Sequence, residues 1–290
     1  VEQRLELLEK GLQSGYYPHQ LTMTATPIPR TMAMTIYGDL DISVIDELPK
    51  DRIPIQTVVL PYHKRSEMIT RLGHHFAEKK QAYWVCPLIE SSEHMETLQD
   101  AEALFEELTE TFKGFQVGLV HGRLKPKEKT EMMAQFKAGE IDLLVATTVI
   151  EVGVDVPNAS IMIIENPERL GLSQLHQLRG RVGRGDQQSS CVLLYNSEIG
   201  QTSKARLKVI RESNDGFVIA EEDLKLRGPG EVLGTKQTGD IGFKIAVLER
   251  DYPWFEVVKK DAEMMVQEHP EQSEKIVDRW LGNVEEYTQA

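Results

Sequence analysis

Continuous apolar runs alternate with amphipathic segments along the middle of the chain, and this alternation limits the folds that the chain can adopt. Residues 82–88 form one such run, which is typical of a strand buried on both faces of a sheet. Before it, residues 62–79 carry apolar side chains at helical spacing, namely Met68, Ile69, Leu72 and Phe76. Repeated β-α-β units of this kind predict a parallel sheet covered by helices, and therefore an α/β fold.

The same patterns place further elements along the chain. They predict helices at residues 62–79, 100–112 and 126–138, and strands at residues 55–60, 82–88, 116–120, 142–146, 160–164 and 190–195. Pro126 suits the first turn of a helix and Gly139 suits the position just after its end, so the two bracket the third helix. Beyond about residue 196 the strand pattern fades, and residues 203–213 and 216–226 are predicted to form a helical hairpin.

Charge and cysteine content narrow the class of protein. A net charge of -13 argues against a protein that binds polyanions over its whole surface, although local charge decides individual contacts. Basic residues cluster at 121–129, 179–184 and 204–211. No apolar run approaches the roughly 18 residues of a membrane span, so no membrane partner is expected. Cys86 and Cys191 lie inside apolar runs, which favours buried thiols in a cytoplasmic protein.

Residues 175–185, with the sequence LHQLRGRVGRG, place three arginines among glycines. Glycine allows the backbone to approach a ligand closely, and the planar guanidinium group of arginine matches phosphate oxygens. The segment therefore predicts a device that presents guanidinium groups to a polyphosphate. A basic surface turn is the simpler interpretation, and this segment alone does not decide between the two.

A second segment, residues 145–157, lies a short way upstream and has the sequence VATTVIEVGVDVP. The two segments in this order resemble motifs V and VI of superfamily 2 helicases, which lie in the second RecA-like domain of the motor. The resemblance implies that Arg181 and Arg184 are arginine fingers with a catalytic role. In the family such fingers reach the γ-phosphate of ATP bound on the first RecA-like domain and stabilise the charge of the transition state.

The resemblance also assigns residues to the nucleotide. It implies that Gly153, Asp155 and Gln177 lie near ATP, with the carboxylate of Asp155 close to the ribose. Taken alone, an aspartate in a loop that contains glycine is more often a turn former. The assignment therefore depends on the whole motif.

Two further places match nucleic-acid contacts of the family. Thr147 and Thr148 follow a predicted strand and should open a helix, where hydroxyls and free amides bind phosphate; simple N-capping is compatible with that role. The loop His121-Gly122-Arg123 resembles motif IVa, a contact to the nucleic-acid backbone. Such contacts do not distinguish base sequence, and their strength should fall with salt.

The first part of the chain carries a match to motif III. Residues 22–31 have the sequence TMTATPIPRT, and Thr24, Ala25 and Thr26 correspond to the strand end that couples the state of ATP to the grip on nucleic acid. The resemblance implies that residues 1–48 are a remnant of the first RecA-like domain. A segment rich in proline and charge at 48–54 then leads into the second RecA-like domain, the helicase C-terminal domain, at 49–200, and a helical C-terminal region follows at 201–290.

Residues 223–239, with the sequence DLKLRGPGEVLGTKQTG, resemble the signature that follows motif VI in the RecG family of these helicases. In that family the helical hairpin and this loop form the TRG element, which links movement of the motor to translocation on DNA. The matching residues are Arg206 and Arg227 on the hairpin and Gln237 in the loop. Arginines can bridge two helices through charge-assisted hydrogen bonds, so these residues are expected to couple hydrolysis to movement.

Two motifs of such a motor do not occur in the sequence. It has neither G-x-x-x-x-G-K-[ST], which cradles phosphates, nor a DExH box, which holds Mg²⁺ and orients water. Residues 1–4 are of the kind that follows the DExH box in the family. We therefore expect a C-terminal fragment that is inactive alone, with most ligands of ATP and Mg²⁺ on the missing N-terminal remainder.

The expected parent is an ATP-dependent helicase that remodels branched double-stranded DNA, at stalled forks and Holliday junctions, in recombination and repair. Two alternatives remain. Transcription-repair coupling factors carry a similar motor and TRG element, although the loop around Pro229 and the chain end soon after Trp280 favour the RecG family. The isolated chain could instead be a non-catalytic module that binds DNA or a protein partner.

Overall fold

The computed structural model describes residues 52–87, 94–147, 155–196, 198–227 and 254–281, together with positions 19, 21, 23, 43–45, 47 and 251. The predicted remnant at 1–48 lies almost wholly outside the described residues, and its candidate residues Thr24, Ala25 and Thr26 lie outside them entirely. Among the described residues, no helix is both long enough and apolar enough to cross a bilayer.

Each strand that the sequence predicts is present in the predicted order, and helices follow most of them. The strands are β1 (Gln56–Pro61), β2 (Gln81–Cys86), β3 (Val117–Val120), β4 (Leu143–Thr147), β5 (Ala159–Glu165) and β6 (Ser190–Tyr195). The helices are α1 (Arg65–Ala77), α2 (His94–Thr111), α3 (Pro126–Ala138), α4 (Leu172–Arg179), α5 (Gln201–Glu212), α6 (Gly216–Arg227), α7 (Phe255–Glu268) and α8 (Pro270–Leu281). Short 3-10 turns at Tyr62–Lys64 and Pro167–Arg169 precede α1 and α4.

The six strands form one parallel sheet in the order β1-β6-β5-β2-β4-β3. This confirms the predicted α/β fold. β2 lies inside the sheet, and all six of its residues are buried. The strand ends at Cys86 instead of residue 88, because Pro87 has no amide hydrogen to donate to a neighbouring strand.

The two faces of the sheet have separate cores, because side chains of a strand alternate between faces. Ala82, Trp84 and Cys86 pack with α1 and α2, including the predicted inward residues Leu104 and Leu108. Tyr83 and Val85 pack in the other core, which includes residues of α3, α4, α5 and α6.

The chain divides into two compact units. One contains the sheet and extends through Leu40–Gly234, so α5 and α6 belong with the sheet. The other includes α7 and α8. The domain limits at 48 and 200 stay a prediction.

Local signals set the ends of α3 where the sequence places them. Pro126 is the first residue of the helix, and the amide of Lys125 donates to Glu128 Oε2 at 2.8 Å. Gly139 ends the helix with φ 80°, a conformation that glycine adopts without steric cost. Cys86 and Cys191 are both buried thiols, as predicted, and burial raises the pKa of Cys191 to about 12.

Gln81 joins the start of β2 to the end of α3 from a buried position. Its amide nitrogen lies 2.6 Å from both Phe136 O and Ile141 O, and Asn158 Nδ2 donates to Gln81 Oε1 at 3.3 Å. We expect Gln81→Leu to lower the free energy of unfolding by about 1–3 kcal/mol, because Ile141 O and Phe136 O both lose the bond from Gln81, although Phe136 O still accepts the amide of Gly139 at 3.1 Å. Urea denaturation measures the change, and Gln135→Leu on the exposed face of α3 is the matched control. A loss no larger than that of the control would contradict the role given to Gln81.

Candidate functional site

The arginine-rich segment begins in α4 and continues into a tight turn. Three leucines hold the helix against the sheet core, namely Leu172, Leu175 and Leu178. Past the helix, the amide of Arg181 donates to Leu178 O at 3.0 Å and that of Val182 donates to Arg179 O at 3.3 Å. Val182 is itself fully buried. The arginines therefore lie on backbone that is fixed in place by packing and hydrogen bonds.

The glycines of this turn are needed for contacts within the chain. Gly183 has φ +74°, and a Cβ placed on it would lie 2.8 Å from Ile55 Cγ1. A Cβ on Gly185 would lie 2.7 Å from Pro157 O. The sequence suggested that these glycines admit a ligand, whereas the close neighbours in the structure are Ile55 and Pro157. These two residues precede β1 and β5, so the turn lies at the amino ends of the strands.

Two of the predicted site residues meet beside this turn. Arg184 NH1 lies 3.6 Å from Asp155 Oδ1, and the two side chains are 34% and 54% exposed. Arg184 Nε also donates to Gly180 O at 3.3 Å. Because an exposed ion pair of this length contributes little to stability, both groups can exchange it for a ligand at small cost.

Tyr83 belongs to the same neighbourhood, and the sequence analysis missed it. Its ring packs against Phe136 with centroids 4.9 Å apart, and its buried hydroxyl has no hydrogen-bond partner. Burial raises the pKa of Tyr83 to about 12, while the charges of Arg181 and Arg184 act to lower it. The signal in the sequence was a hydroxyl-bearing residue within an otherwise apolar strand.

Arg179 differs from the other two arginines. It is only 2% exposed, and its guanidinium bonds to groups within the chain. Of the three arginines in the segment, the resemblance named only Arg181 and Arg184 as fingers, and the burial of Arg179 leaves its guanidinium engaged inside the chain. The acceptors come from distant parts of the chain, so a pattern of arginines and glycines could not distinguish it.

His176 lies one turn before Arg179 and accepts a hydrogen bond from it. Arg179 NH2 is 3.0 Å from His176 Nδ1, and because guanidinium can only donate, Nδ1 must carry a lone pair. Burial lowers the pKa of His176 to about 4, and the positive charges of Arg179 and Arg52 act in the same direction. His176 is therefore neutral near pH 7. Gln177, the next residue, is partly buried on α4, four residues before Arg181.

The predicted nucleic-acid residues lie at the carboxyl ends of two neighbouring strands. β3 pairs with β4 so that Val120 faces Ala146, and His121 and Thr147 are the next residues along each strand. His121 Nδ1 and Thr147 Oγ1 are both buried without a hydrogen-bond partner. Two polar atoms left without partners at neighbouring strand ends are candidates to bind a further group, since leaving them unpaired costs about 1–3 kcal/mol each.

Positively charged side chains lie in the loop after β3 and at the start of α3, close in sequence to His121. Gly122 and Arg123 are exposed in the loop after β3, and Lys129 Nζ donates to Gly122 O at 2.9 Å. The loop leads directly into the first turn of α3, which adds Lys125 and Lys127 on the surface. Free amides and cations at the start of a helix favour an anion.

Arg206 of α5 anchors the hairpin to the segment that precedes α4. It donates from NH1 to Leu170 O at 2.8 Å, and from NH2 to Glu168 O at 3.0 Å and to Ser203 Oγ at 3.2 Å. Its Nε is buried without a partner, as is Glu168 Oε2. The bonds of Arg206 therefore reach the 3-10 turn before α4, whereas the sequence suggested a bridge between the two helices of the hairpin.

The remaining candidate residues lie outside the described part of the chain. These are Thr148, Gly153 and Gln237. Arg227 ends α6, and its side chain also lies outside the description.

Family models agree with the class of protein that this geometry indicates. The model described as the helicase conserved C-terminal domain matches residues 64–186, which contain four of the six strands and the arginine turn. The fold and the site thus define the second RecA-like domain of a helicase motor. A further model, described as ATP-dependent DNA helicase RecG, domain 3, C-terminal, matches residues 213–281.

Similar proteins identify the family within that class. The chain is 59% identical over its whole length to the ATP-dependent DNA helicase RecG of Escherichia coli K12 and 58% identical to that of Haemophilus influenzae. A solved structure of RecG bound to a three-way DNA junction matches 84% of the chain with a TM-score of 0.67 and 46% identity, over 31% of that structure's chain. The chain belongs to the RecG family. It spans 42% of the length of the two curated relatives.

The neutral state of His176 predicts a dependence of stability on pH. Because the folded pKa is about 4 and the ordinary value is 6.5, the unfolded chain gains a proton in this window before the folded chain does. We expect the free energy of unfolding to fall as the pH is lowered from about 6.5 to 4. His75, whose pKa is also lowered by burial, acts in the same direction. Denaturation at several pH values should show a shallower fall for His176→Gln, and an unchanged slope would contradict the assignment.

Proposed function

We propose that this chain is the arginine-finger half of an ATP-dependent DNA helicase, and that the whole protein remodels branched double-stranded DNA in recombination and repair. One observation carries the proposal. Arg184 with Asp155 lies at the amino ends of the sheet, and His121 with Thr147 lies at the carboxyl ends. One rigid sheet thus holds a group suited to a polyphosphate and a group suited to a nucleic-acid backbone. The similarity to RecG, including one bound to a three-way DNA junction, supports branched DNA as the substrate.

The arginine turn would act on ATP bound to the other motor domain. Water attacks the γ-phosphorus, the bond to the bridging oxygen breaks, and ADP and phosphate leave. Arg184 would exchange its weak pair with Asp155 for the γ-phosphate, and Arg181 would stabilise the same charge. Asp155 would then be available to the ribose, with Gly153 and Gln177 close to the nucleotide.

Magnesium would enter with ATP and neutralise phosphate charge. Within the described residues no group of three or more His, Cys, Asp or Glu side chains could hold a metal ion. The sequence also has neither a phosphate-cradling loop nor a DExH box. We therefore assign the metal ligands to another part of the whole protein, and we expect this chain alone to hydrolyse no ATP.

DNA would lie across the carboxyl ends of β3 and β4. The loop His121-Gly122-Arg123 and the hydroxyls of Thr147 and Thr148 would bind the phosphate backbone without distinguishing sequence. Protonated or neutral, His121 can donate from one ring nitrogen, and Arg123 adds a full charge.

Two connections would transmit the state of ATP to DNA. Residues 148–154 run from Thr147, at the DNA edge, to Asp155, at the nucleotide edge. The hairpin of α5 and α6, with Arg206, Arg227 and Gln237, would move DNA, and Thr24, Ala25 and Thr26 would report on ATP from the first motor domain. A cytoplasmic location completes the proposal and agrees with a protein that acts on DNA.

Arg184→Ala in the whole protein tests the catalytic role. We expect DNA-stimulated ATP hydrolysis to fall by about 10³-fold or more, because the transition state loses a positive charge, while affinity for a DNA junction stays within about twofold. Arg71→Ala, an exposed arginine on α1, is the matched control. Hydrolysis within a few-fold of the unmodified protein would exclude Arg184 as a finger.

Thr147→Val tests the DNA edge, since it keeps the shape of the side chain and removes the unpartnered hydroxyl. We expect junction affinity to fall by about tenfold through loss of a hydrogen bond to a charged phosphate. Arg123→Gln should instead reduce the slope of log affinity against log salt by about one. Thr109→Val, on the exposed face of α2, is the control. Unchanged affinity for Thr147→Val would mean that its hydroxyl contacts no DNA.

A further inference from the structure

Arg179 is a buried cation, and within the described part of the chain its hydrogen bonds go to uncharged acceptors. NH1 lies 2.6 Å from Ile210 O, 2.8 Å from Ser213 O and 3.3 Å from Thr57 Oγ1, and NH2 lies 3.0 Å from His176 Nδ1. A single guanidinium therefore connects the end of α4 to the end of α5 and to β1. A buried charge is usually paired with an opposite charge. Where neutral acceptors take the place of that charge, each donor must form a good hydrogen bond to offset the loss of water.

The strongest of these bonds reach a helix terminus. Ile210 lies in the last turn of α5 and Ser213 is the residue that follows the helix. The last carbonyls of a helix have no partner within it and carry partial negative charge. Arg179 supplies donors to this end, so the guanidinium acts as a cap for α5 from another helix.

The other end of α4 is tied to the second helix of the hairpin. Ser173 Oγ donates to Asp223 Oδ2 of α6 at 3.3 Å. Leu207 and Ile210 of α5 and Ile219 of α6 pack in the same core as α4. The helix that precedes the arginine turn is thus attached to both helices of the hairpin.

The path from Arg179 to Arg181 and Arg184 is short and made of backbone. Its carbonyl accepts the amide of Val182 at 3.3 Å, and Val182 is buried. Arg181 lies two residues after Arg179 and Arg184 five residues after it. A displacement of the Arg179 guanidinium would therefore move the turn that carries both of them.

We propose that Arg179 is a positioning residue that fixes Arg181 and Arg184 relative to the α5–α6 hairpin, so that the arginine turn and the hairpin move as one body. This inference rests on the proposed function. Arg179 touches neither ATP nor DNA, and its effect passes through the residues that follow it. Lysine cannot replace it, because one ammonium on a flexible stem cannot reach four acceptors with the same geometry.

The test compares Arg179→Lys with the unmodified whole protein and with Arg211→Lys, a matched change on the exposed surface of α5. The measurements are kcat and KM for ATP, affinity for a DNA junction, and base pairs unwound per ATP hydrolysed. We expect kcat to fall by about tenfold to a hundredfold through misplaced fingers, with KM and DNA affinity within about twofold. We also expect fewer base pairs unwound per ATP, which a loss of stability alone would not produce.

Two results would overturn the inference. One is an unchanged kcat and an unchanged yield of unwinding per ATP in folded Arg179→Lys. The other is a lower kcat with an unchanged number of base pairs unwound per ATP. Hydrolysis would then still be coupled to the hairpin without Arg179. If Arg179→Lys does not fold, Arg179→Met fills a similar volume without a buried charge, and the same two results apply to it.

The outcome for Arg184→Ala separates this inference from the proposed function. If Arg184→Ala still hydrolyses ATP, the proposed function is wrong, and so is any role for Arg179 in positioning fingers. If Arg184→Ala is inactive but Arg179→Lys is unimpaired, only the inference drawn from Arg179 is wrong.

Discussion

Parallel pairing of six strands is the constraint on which the rest of the structure depends. Parallel neighbours require crossover connections, and these bring all the carboxyl ends to one edge of the sheet and all the amino ends to the other. His121 and Thr147 lie at neighbouring strand ends because β3 and β4 are adjacent. Arg184 and Asp155 meet because β5 and β6 are adjacent and the segments that lead into them share the opposite edge. The distance between the two groups is thus a property of the sheet.

A half-buried arginine, Arg65, and a buried one, Arg179, show how charge is used differently in this fold. Arg65 bonds to the carboxylates of Glu107 and Glu165, which raise its pKa, and it joins α1, α2 and β5. Among the described residues Arg179 has neutral acceptors, and burial lowers its pKa. The first arrangement joins one positive charge to two negative ones. The second depends on carbonyls at the end of α5. The hydrogen bonds of Arg179 would therefore weaken if α5 moved.

The proposed function would use two connections between the edges of the sheet. One is the chain itself, because residues 148–154 join the two edges of the sheet. The other is packing, since α4 carries the arginine turn and is bonded at one end to α6 and at the other to α5. Arg206 provides a third connection between the hairpin and this region, because it bonds α5 to the turn before α4. A motor requires such mechanical continuity, because hydrolysis changes the position of only a few atoms around the γ-phosphate.

The sequence by itself determined the alternation of strands and helices, the buried central strand β2 and the ends of α3, because apolar periodicity, Pro126 and Gly139 act over a few residues. It also selected Arg184 and Asp155, and His121 and Thr147, through motifs. Only the tertiary structure showed which of these meet, and only it separated Arg179 from Arg181 and Arg184. The acceptors of Arg179 lie 31 to 122 residues away along the chain, apart from His176. Burial and hydrogen bonding depend on such distant neighbours, which no local pattern contains.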